Sequence, residues 1–202
     1  MLIIKSKYRI ARRLGAGVFD QTQTQKFAMR QAQRAEKNVR SRASSDYGHQ
    51  LIEKQKVRFT YGLSERHLAN YVKDATKTKH PPVTLHRALE MRADNVLYRA
   101  GFAPTRRAGR QAVSHGHVVV NGTRITSPSY RVRVGDTLTI REGSRKSPLF
   151  AGLSEKNMEG QNIPSWLEAD PNLLTIKIVK EPEFSATETG LDYATVFEFY
   201  SR

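Results

Sequence analysis

The stretch "TRRAGRQAVSHGHVVVNG", Thr105 to Gly122, gathers side chains able to do chemistry: arginines at 106, 107 and 110, and histidines at 115 and 117 around one glycine. Two chemistries suit these types. His-x-His on a strand can aim both imidazoles at one metal ion, but a useful site needs a third and a fourth ligand. The chain has no cysteine, and His49, His67, His80 and His86 show no ligand spacing, so no metal site is expected. The second chemistry is anion binding. At about 100° per residue, Arg106, Arg110, Ser114, Arg107 and Gln111 gather on one side of a helix. Ala108, Ala112 and, less fully, Gly109 take the other and allow close packing on a preceding helix. No acidic residue lies within the stretch, so these guanidinium groups are expected to stand free on an exposed face. Such groups bind phosphate oxygens bidentately. The plainer alternative is a solvated charged face.

No nucleophile–base–acid set stands out elsewhere, and no cofactor is expected. "GAG" at Gly15 to Gly17 is not a phosphate-binding fingerprint, because no strand precedes it and the lysine spacing is wrong. The acidic residues near the C-terminus are scattered rather than paired.

The elements that must position these residues follow from periodicity and caps. Thr105 is placed to cap the arginine helix, Gly116 to end it in the left-handed conformation, and Asn121-Gly122 to form a type I′ turn. "YRVRVGDTLTIRE" alternates, with Tyr130, Val132 and Val134 on one face and Arg131 and Arg133 on the other. It reads as a strand turning at Gly135-Asp136. Upstream, Thr84 is expected to cap one helix with Leu85, Leu89, Val96, Leu97 and Ala100 as its apolar stripe and Gly101 beyond its end. Two helices and a small, mostly antiparallel sheet result.

"TKTKHPPVT" breaks the pattern before this module and marks a domain boundary. Before it stands a helical hairpin. In the first helix Leu51, Ile52, Gln55 and Phe59 share one side, and Lys54, Arg58 and Tyr61 the other. In the second, Ser64 is the N-cap, with Leu63 and Leu68 at the positions of a hydrophobic staple. Residues 1–45, rich in Gln, Arg and Ala, read as a basic arm with helical pieces and little to bury by itself.

Charge points the same way. The 202 residues carry 34 Lys+Arg against 19 Asp+Glu, a net +15, the footprint expected for a phosphate-rich partner. The excess is uneven: 18 basic and 6 acidic side chains up to Pro82, 12 and 4 from Val83 to Phe150, and 4 and 9 from Ala151 onward. The last quarter would be repelled by a polyanion and is better suited to basic neighbours within the protein or to a protein partner. No apolar run approaches the roughly 18 residues needed to span a bilayer. The start, "MLIIKSKYRIARR", lacks the apolar core of a secretory signal, although its arginines imitate a transit peptide. Without cysteine, a reducing cytoplasm fits.

These residues carry a resemblance. "EMRADNVLYRAGFAPTRRAGRQAVSHGHVVVNG" with "PSYRVRVGD" strongly resembles the S-four RNA-binding domain, the αL motif. "SDYGHQLIEKQKVRFTYGLSERHLANYVKDA" resembles the helical domain of the ribosomal protein S-four family, and "PSWLEAD", "FEFYSR" and "KYRIARRLG" are similar to its terminal signatures. The resemblance implies an α+β fold. A basic arm, 1–45, precedes a helical domain, 46–82, which a returning segment, about 167–202, completes. The S-four domain, 83–150, is inserted between them and followed by a connecting segment, 151–166. Departures are the missing zinc-binding cysteines, the altered stretch from Ala16 to Ser44, Ala93 for leucine, and Gly109 for alanine, expected to weaken its helix by about 1 kcal/mol.

The resemblance further implies a structural constituent of the small ribosomal subunit in a cytoplasmic or organellar ribosome. It would bind small-subunit ribosomal RNA early, at a multi-helix junction, touch ribosomal protein S-five, and lie near the path by which messenger RNA enters, with an effect on decoding accuracy. No membrane or small-molecule substrate is expected. Arg9, Arg12, Arg13, Lys54, Lys56, Arg58, Tyr61, Arg66, Arg106, Arg107 and Arg110 are the expected RNA contacts. Gln111, Ser114, His115, His117, Asn121 and Tyr130 would add hydrogen bonds or stacking. Two rival readings are an RNA-modifying enzyme using an αL domain and a DNA-binding helix-turn-helix regulator.

Overall fold

A computed structural model describes residues 4, 6–37, 45–150, 163–185 and 190–202. They divide into two compact units, Met1–Leu85 with Phe184–Arg202, and His86–Glu183. Most of the expected connecting segment, residues 151–162, lies outside the described residues, as do 38–44 of the arm.

The first unit is helical. Helix α1 (Lys7–Leu14) leads through two short 3-10 turns to α2 (Gln25–Lys37). Helix α3 (Asp46–Thr60) is capped by Ser45, and α4 (Glu65–Ala75) by Ser64, whose Oγ accepts from the His67 amide at 3.3 Å. Leu63 and Leu68 are buried together with Val72 and Ala75. The expected division of α3 into an apolar and a polar side is not what packs. The side carrying Lys54 and Tyr61 is buried with Gln50, Glu53 and Val57, while Leu51, Ile52, Gln55 and Phe59 are only half-buried. The cause is the last helix, Tyr193–Tyr200, which covers the Lys54 side of α3 and cannot be foreseen from the local pattern. The Leu51 side faces α1 across a cleft.

Helix α5 (Pro81–Glu90) begins at the prolines rather than after a Thr84 cap. Proline suits the first turn, where its missing N–H costs nothing. The single helix expected from Leu85 to Ala100 is broken into α5 and α6 (Ala93–Arg99). Between them Met91 and Arg92 break the helix, and an extended stretch bonds across the break: the Val132 amide donates to the Met91 carbonyl, and the Ala93 amide to that of Tyr130. Those bonds also consume the strand expected over Tyr130–Val134. Only an isolated bridge, Arg92 with Arg131, forms there, so Val132 is buried whereas Tyr130 and Val134 are 40% and 49% exposed.

Helix α7 (Arg106–Ser114) follows, with Thr105 Oγ1 accepting from the Ala108 amide at 3.1 Å. Gly116, at φ +70°, ends it. Strands β1 (Val118–Val120) and β2 (Thr123–Ile125) form a hairpin whose Asn121 and Gly122 both have positive φ, as a type I′ turn requires. Strand β3 (Thr137–Ile140) and the short helix α8 (Glu142–Arg145) come next. Strands β4 (Leu167–Asp170) and β5 (Thr175–Ile178) complete an antiparallel sheet in the order β2-β1-β3-β5-β4. This corrects the expected boundary, since residues 167–183 belong with the inserted unit. Leu138 pairs with Ile176 and Val118 with Ile140, which keeps the apolar side chains on one face against Val96, Leu97, Phe102 and Val113. Helix α9 (Tyr193–Tyr200), capped by Asp192, closes the chain in the first unit.

Candidate nucleic-acid interface

The arginine helix is sorted more finely than its composition suggests. Two carboxylates of the preceding helices, Glu90 and Asp94, are almost completely buried. Arg99 grips Glu90 with Nε at 2.7 Å and Nη2 at 3.0 Å, and Asn95 adds its amide at 3.0 Å. Arg92 grips Asp94 with Nε at 2.9 Å and Nη2 at 2.7 Å. Into this network come two of the three arginines expected to be free, Arg106 and Arg110. Arg110 Nε donates to Asp94 at 3.0 Å. Arg106 Nε donates to Asn95 Oδ1 at 2.7 Å, lies 4.0 Å from Glu90, and stacks on Tyr98 at 4.4 Å. The expectation of an acid-free face is therefore wrong for Arg106 and Arg110: their partners sit on the helices before, out of reach of any local pattern. Packing explains how α7 comes so close. A Cβ on Gly109 would collide with the backbone carbonyl of Asp94, so the glycine is required by the approach rather than merely tolerated.

Arg107 remains exposed, and no ion pair is formed by it among the described residues. Gln111, Ser114 and His115 continue its exposed side along α7. At the helix end the Arg124 guanidinium lies over Gly116 and donates to the His115 carbonyl at 3.3 Å and the Gly116 carbonyl at 3.2 Å, satisfying backbone acceptors that a helix terminus leaves open. His117 is half-buried against Phe150, and its Nδ1 is 2.9 Å from Ser144 Oγ. Burial, then the positive charges of His115, Arg141 and Arg124, hold the His117 imidazole below its ordinary value of 6.5. Arg131 and Arg133, flanking the buried Val132, are exposed cations that the sequence pattern assigns to a strand face; their alternation with valine was the available signal. Asn121 does not point its amide outward. It donates to Asp136 at 2.8 Å and accepts from the Thr137 amide at 2.9 Å, locking the hairpin. Tyr130 is exposed.

In the helical unit, Arg9, Arg12 and Arg13 project from α1 into solvent, and Arg66 does so from α4; no carboxylate pairs with them among the described residues. Lys54 and Tyr61, by contrast, are 6% and 3% exposed. Lys54 Nζ is 2.8 Å from Glu65 and 4.2 Å from the Phe199 ring, and the Tyr61 and Tyr193 hydroxyls are 3.2 Å apart. Neither can reach a polyanion, because α9 covers them. Arg58 also binds Glu65, at 3.1 Å, and Lys56 binds Glu53, at 2.6 Å, both less deeply buried. Burial tends to raise the Glu65 carboxyl, but hydrogen bonds from Lys54, Tyr200 and Arg58 outweigh it and hold the group below its ordinary value. Among the described residues no three His, Asp or Glu side chains come together as a metal site, and no helix is long and apolar enough to cross a membrane.

A family model described as "S4 domain" matches residues 91–138, and one described as "Ribosomal protein S4/S9 N-terminal domain" matches residues 3–91. Among curated proteins the chain is similar to "Small ribosomal subunit protein uS4" of Borrelia duttonii strain Ly, 37% identical over 201 residues, 98% of this chain and 96% of the relative. That of Borreliella burgdorferi strain ZS7 is 39% identical over 202 residues, with the same coverage. That of Roseiflexus sp. strain RS-1 is 40% identical over 200 residues, 96% of each chain. These are structural ribosomal proteins, which sets aside the reading of the chain as an RNA-modifying enzyme. Matched over nearly its whole length, the chain belongs to the ribosomal protein uS4 family, with an S-four RNA-binding domain inserted after its helical N-terminal region.

Proposed function

We propose that the chain is a structural component of the small ribosomal subunit that binds small-subunit ribosomal RNA through phosphate contacts on both units. The observation that carries this is the sorting of cations. Arg106, Arg110 and Lys54 are consumed by internal carboxylates, while Arg107, Arg131, Arg133, Arg141, Arg9, Arg12, Arg13 and Arg66 are left exposed and make no ion pair among the described residues. Charge kept for solubility alone would mix both signs on these faces. Fixed cations on rigid helices match the contour of folded RNA, which proteins recognise by shape and backbone more than by sequence. Gln111, Ser114 and His115 would add hydrogen bonds beside Arg107.

The finer reading follows from the family. The chain would bind early at a multi-helix RNA junction, helping to nucleate subunit assembly, and would touch ribosomal protein S-five near the path by which messenger RNA enters, thereby influencing decoding accuracy. Such a protein works in the ribosome, cytoplasmic in a bacterium. A filter-binding titration with a small-subunit RNA junction fragment, in competition with duplex DNA of equal length, tests it. RNA should win by at least about tenfold, since the A-form groove and 2′-hydroxyls distinguish the two. Equal competition would favour the DNA-regulator reading.

A further inference from the structure

Between Asn95 and Arg141 the chain carries eight arginines and a single acid, Asp136. A carboxylate beside cations that face RNA costs affinity, because it repels phosphate. Its partners show what it does there. Asp136 makes no ion pair among the described residues, although Arg133 is only three positions away. Both of its oxygens accept from neutral N–H groups instead, bonds that the carboxylate charge strengthens. Oδ2 takes the backbone amide of Arg133 at 2.7 Å, and Oδ1 takes the side-chain amide of Asn121 at 2.8 Å. The Asp136 amide in turn donates to the Arg133 carbonyl at 3.1 Å. The flanking residues are anchored elsewhere: buried Val132 through its amide to Met91, and Gly135 through its amide to the Ile178 carbonyl at 2.9 Å. Arg133 and Val134, both exposed, span the gap, and among the described residues only Asp136 bonds to the backbone of either. Asn121 Oδ1 accepts from the Thr137 amide at 2.9 Å, so the same carboxylate ties the tip of the β1–β2 hairpin to this loop.

We propose that Asp136 is a positioning residue for RNA binding: it fixes the Arg133 loop against the hairpin tip, so that the Arg133 guanidinium meets a phosphate from a loop already in place. Ordering a loop at the moment of binding costs free energy, and a preset loop avoids that cost. Two effects of the carboxylate therefore oppose each other. Its charge repels the RNA, but across solvent that repulsion is screened by salt. Its bonds act on the loop directly, and the preset geometry wins. A carboxylate kept only to balance charge would turn to a guanidinium, and this one turns to two amides.

This role rests on the RNA-binding reading, and the test separates the two. Filter binding of a small-subunit RNA fragment is measured at several salt concentrations for the wild type, Asp136→Ala, Arg133→Ala and their double variant. A further variant exchanges the pair, Asn121→Asp with Asp136→Asn. The exchange keeps the net charge and can re-form every bond: the new amide donates to the new carboxylate, and its oxygen still accepts from the Arg133 amide. Melting curves fix the folded fraction of each protein, so that lost stability is not read as lost affinity. Asp136→Ala should weaken binding about fivefold, a coupling usual within one network. It should also flatten the salt slope toward that of Arg133→Ala, although it makes the protein more positive. With Arg133→Ala already in place, the same change should cost less than about twofold, and the exchange variant should bind as the wild type does. Repulsion alone predicts tighter binding by Asp136→Ala, and a purely structural role predicts the same loss with or without Arg133. Either result, or a folded exchange variant that stays weak, would overturn the positioning role and leave RNA binding intact. No salt-dependent binding by the wild type would overturn both.

Discussion

Arg110 reaches back across the helix pair to Asp94, Nε to Oδ2 at 3.0 Å, and turns what looks like an RNA-facing guanidinium into a tie between α7 and α6. Asp94 is buried and also held by Arg92, so the pair belongs to the framework of the inserted unit. Arg110→Ala should lower stability by about 1–3 kcal/mol, because it strips one partner from a buried carboxylate. Arg107→Ala, one turn away and exposed, should leave stability within about 0.5 kcal/mol. Urea unfolding of the two variants checks the contrast; equal losses would put both arginines in one class.

RNA affinity should sort them in the opposite sense. Arg107→Ala should weaken binding and lower the salt slope by about one unit, the signature of one fewer phosphate neutralised. Filter binding at several salt concentrations reads it. The double variant Arg106→Ala with Arg110→Ala is a poor probe of the RNA face, because it dismantles the Glu90 and Asp94 network at the same time.

Gly109 offers a sharper test of packing. Helix propensity alone says that alanine should stabilise α7 by about 1 kcal/mol. The Asp94 carbonyl, lying where the new Cβ would stand, says the reverse. Gly109→Ala should destabilise by roughly 1–3 kcal/mol, as overpacking against backbone does. A raised melting temperature would show that the two helices can separate freely.

His117 should make the stability of the inserted unit sensitive to pH. Its imidazole is held below 6.5 by burial and by cationic neighbours, so the folded state prefers it neutral. The unfolded chain therefore binds the proton more readily. The stabilisation is fully present above the unfolded value and is lost as pH falls through the folded one. Bound phosphate would offset the charges of Arg124 and Arg141 and move His117 upward. An NMR titration of its ring protons, free and with RNA, should show that upward movement; an unchanged value would mean no anion sits there.

Lys54→Ala separates structure from binding in the helical unit. With Lys54 under α9 and bound to Glu65 at 2.8 Å, its removal should cost about 1–3 kcal/mol while RNA affinity of the folded protein stays the same. Glu65, freed from its strongest lowering partner, should titrate higher. Its stabilisation, present above its unfolded value and lost as pH falls through the folded one, would then disappear earlier on acidification. Weakened RNA binding without a drop in stability would restore Lys54 to the interface.

Local signals made much of this fold legible. Ser64 and Thr105 cap the helices expected of them, and Asn121-Gly122 turns the hairpin, because such features depend on neighbours in the chain. What sequence reading missed depends on partners far along it. Lys54 is buried because α9 returns more than a hundred residues later, and Arg110 is neutralised from Asp94, a separation of 16 residues. Strands β4 and β5 join the inserted sheet through β3, a pairing no periodicity announces. Arg131 and Arg133 were visible as an alternating pair, yet assigning them to a strand hid their exposure.

The salt dependence of affinity for a small-subunit RNA fragment reaches the central claim most directly, comparing the wild type with a variant carrying Arg12→Ala, Arg13→Ala, Arg107→Ala and Arg131→Ala. Each phosphate left without its guanidinium should remove roughly 0.7–0.9 from the slope of log affinity against log salt, so the variant should be shallower by about three units. A slope unchanged in the variant would mean that the exposed guanidinium groups are not what holds the RNA.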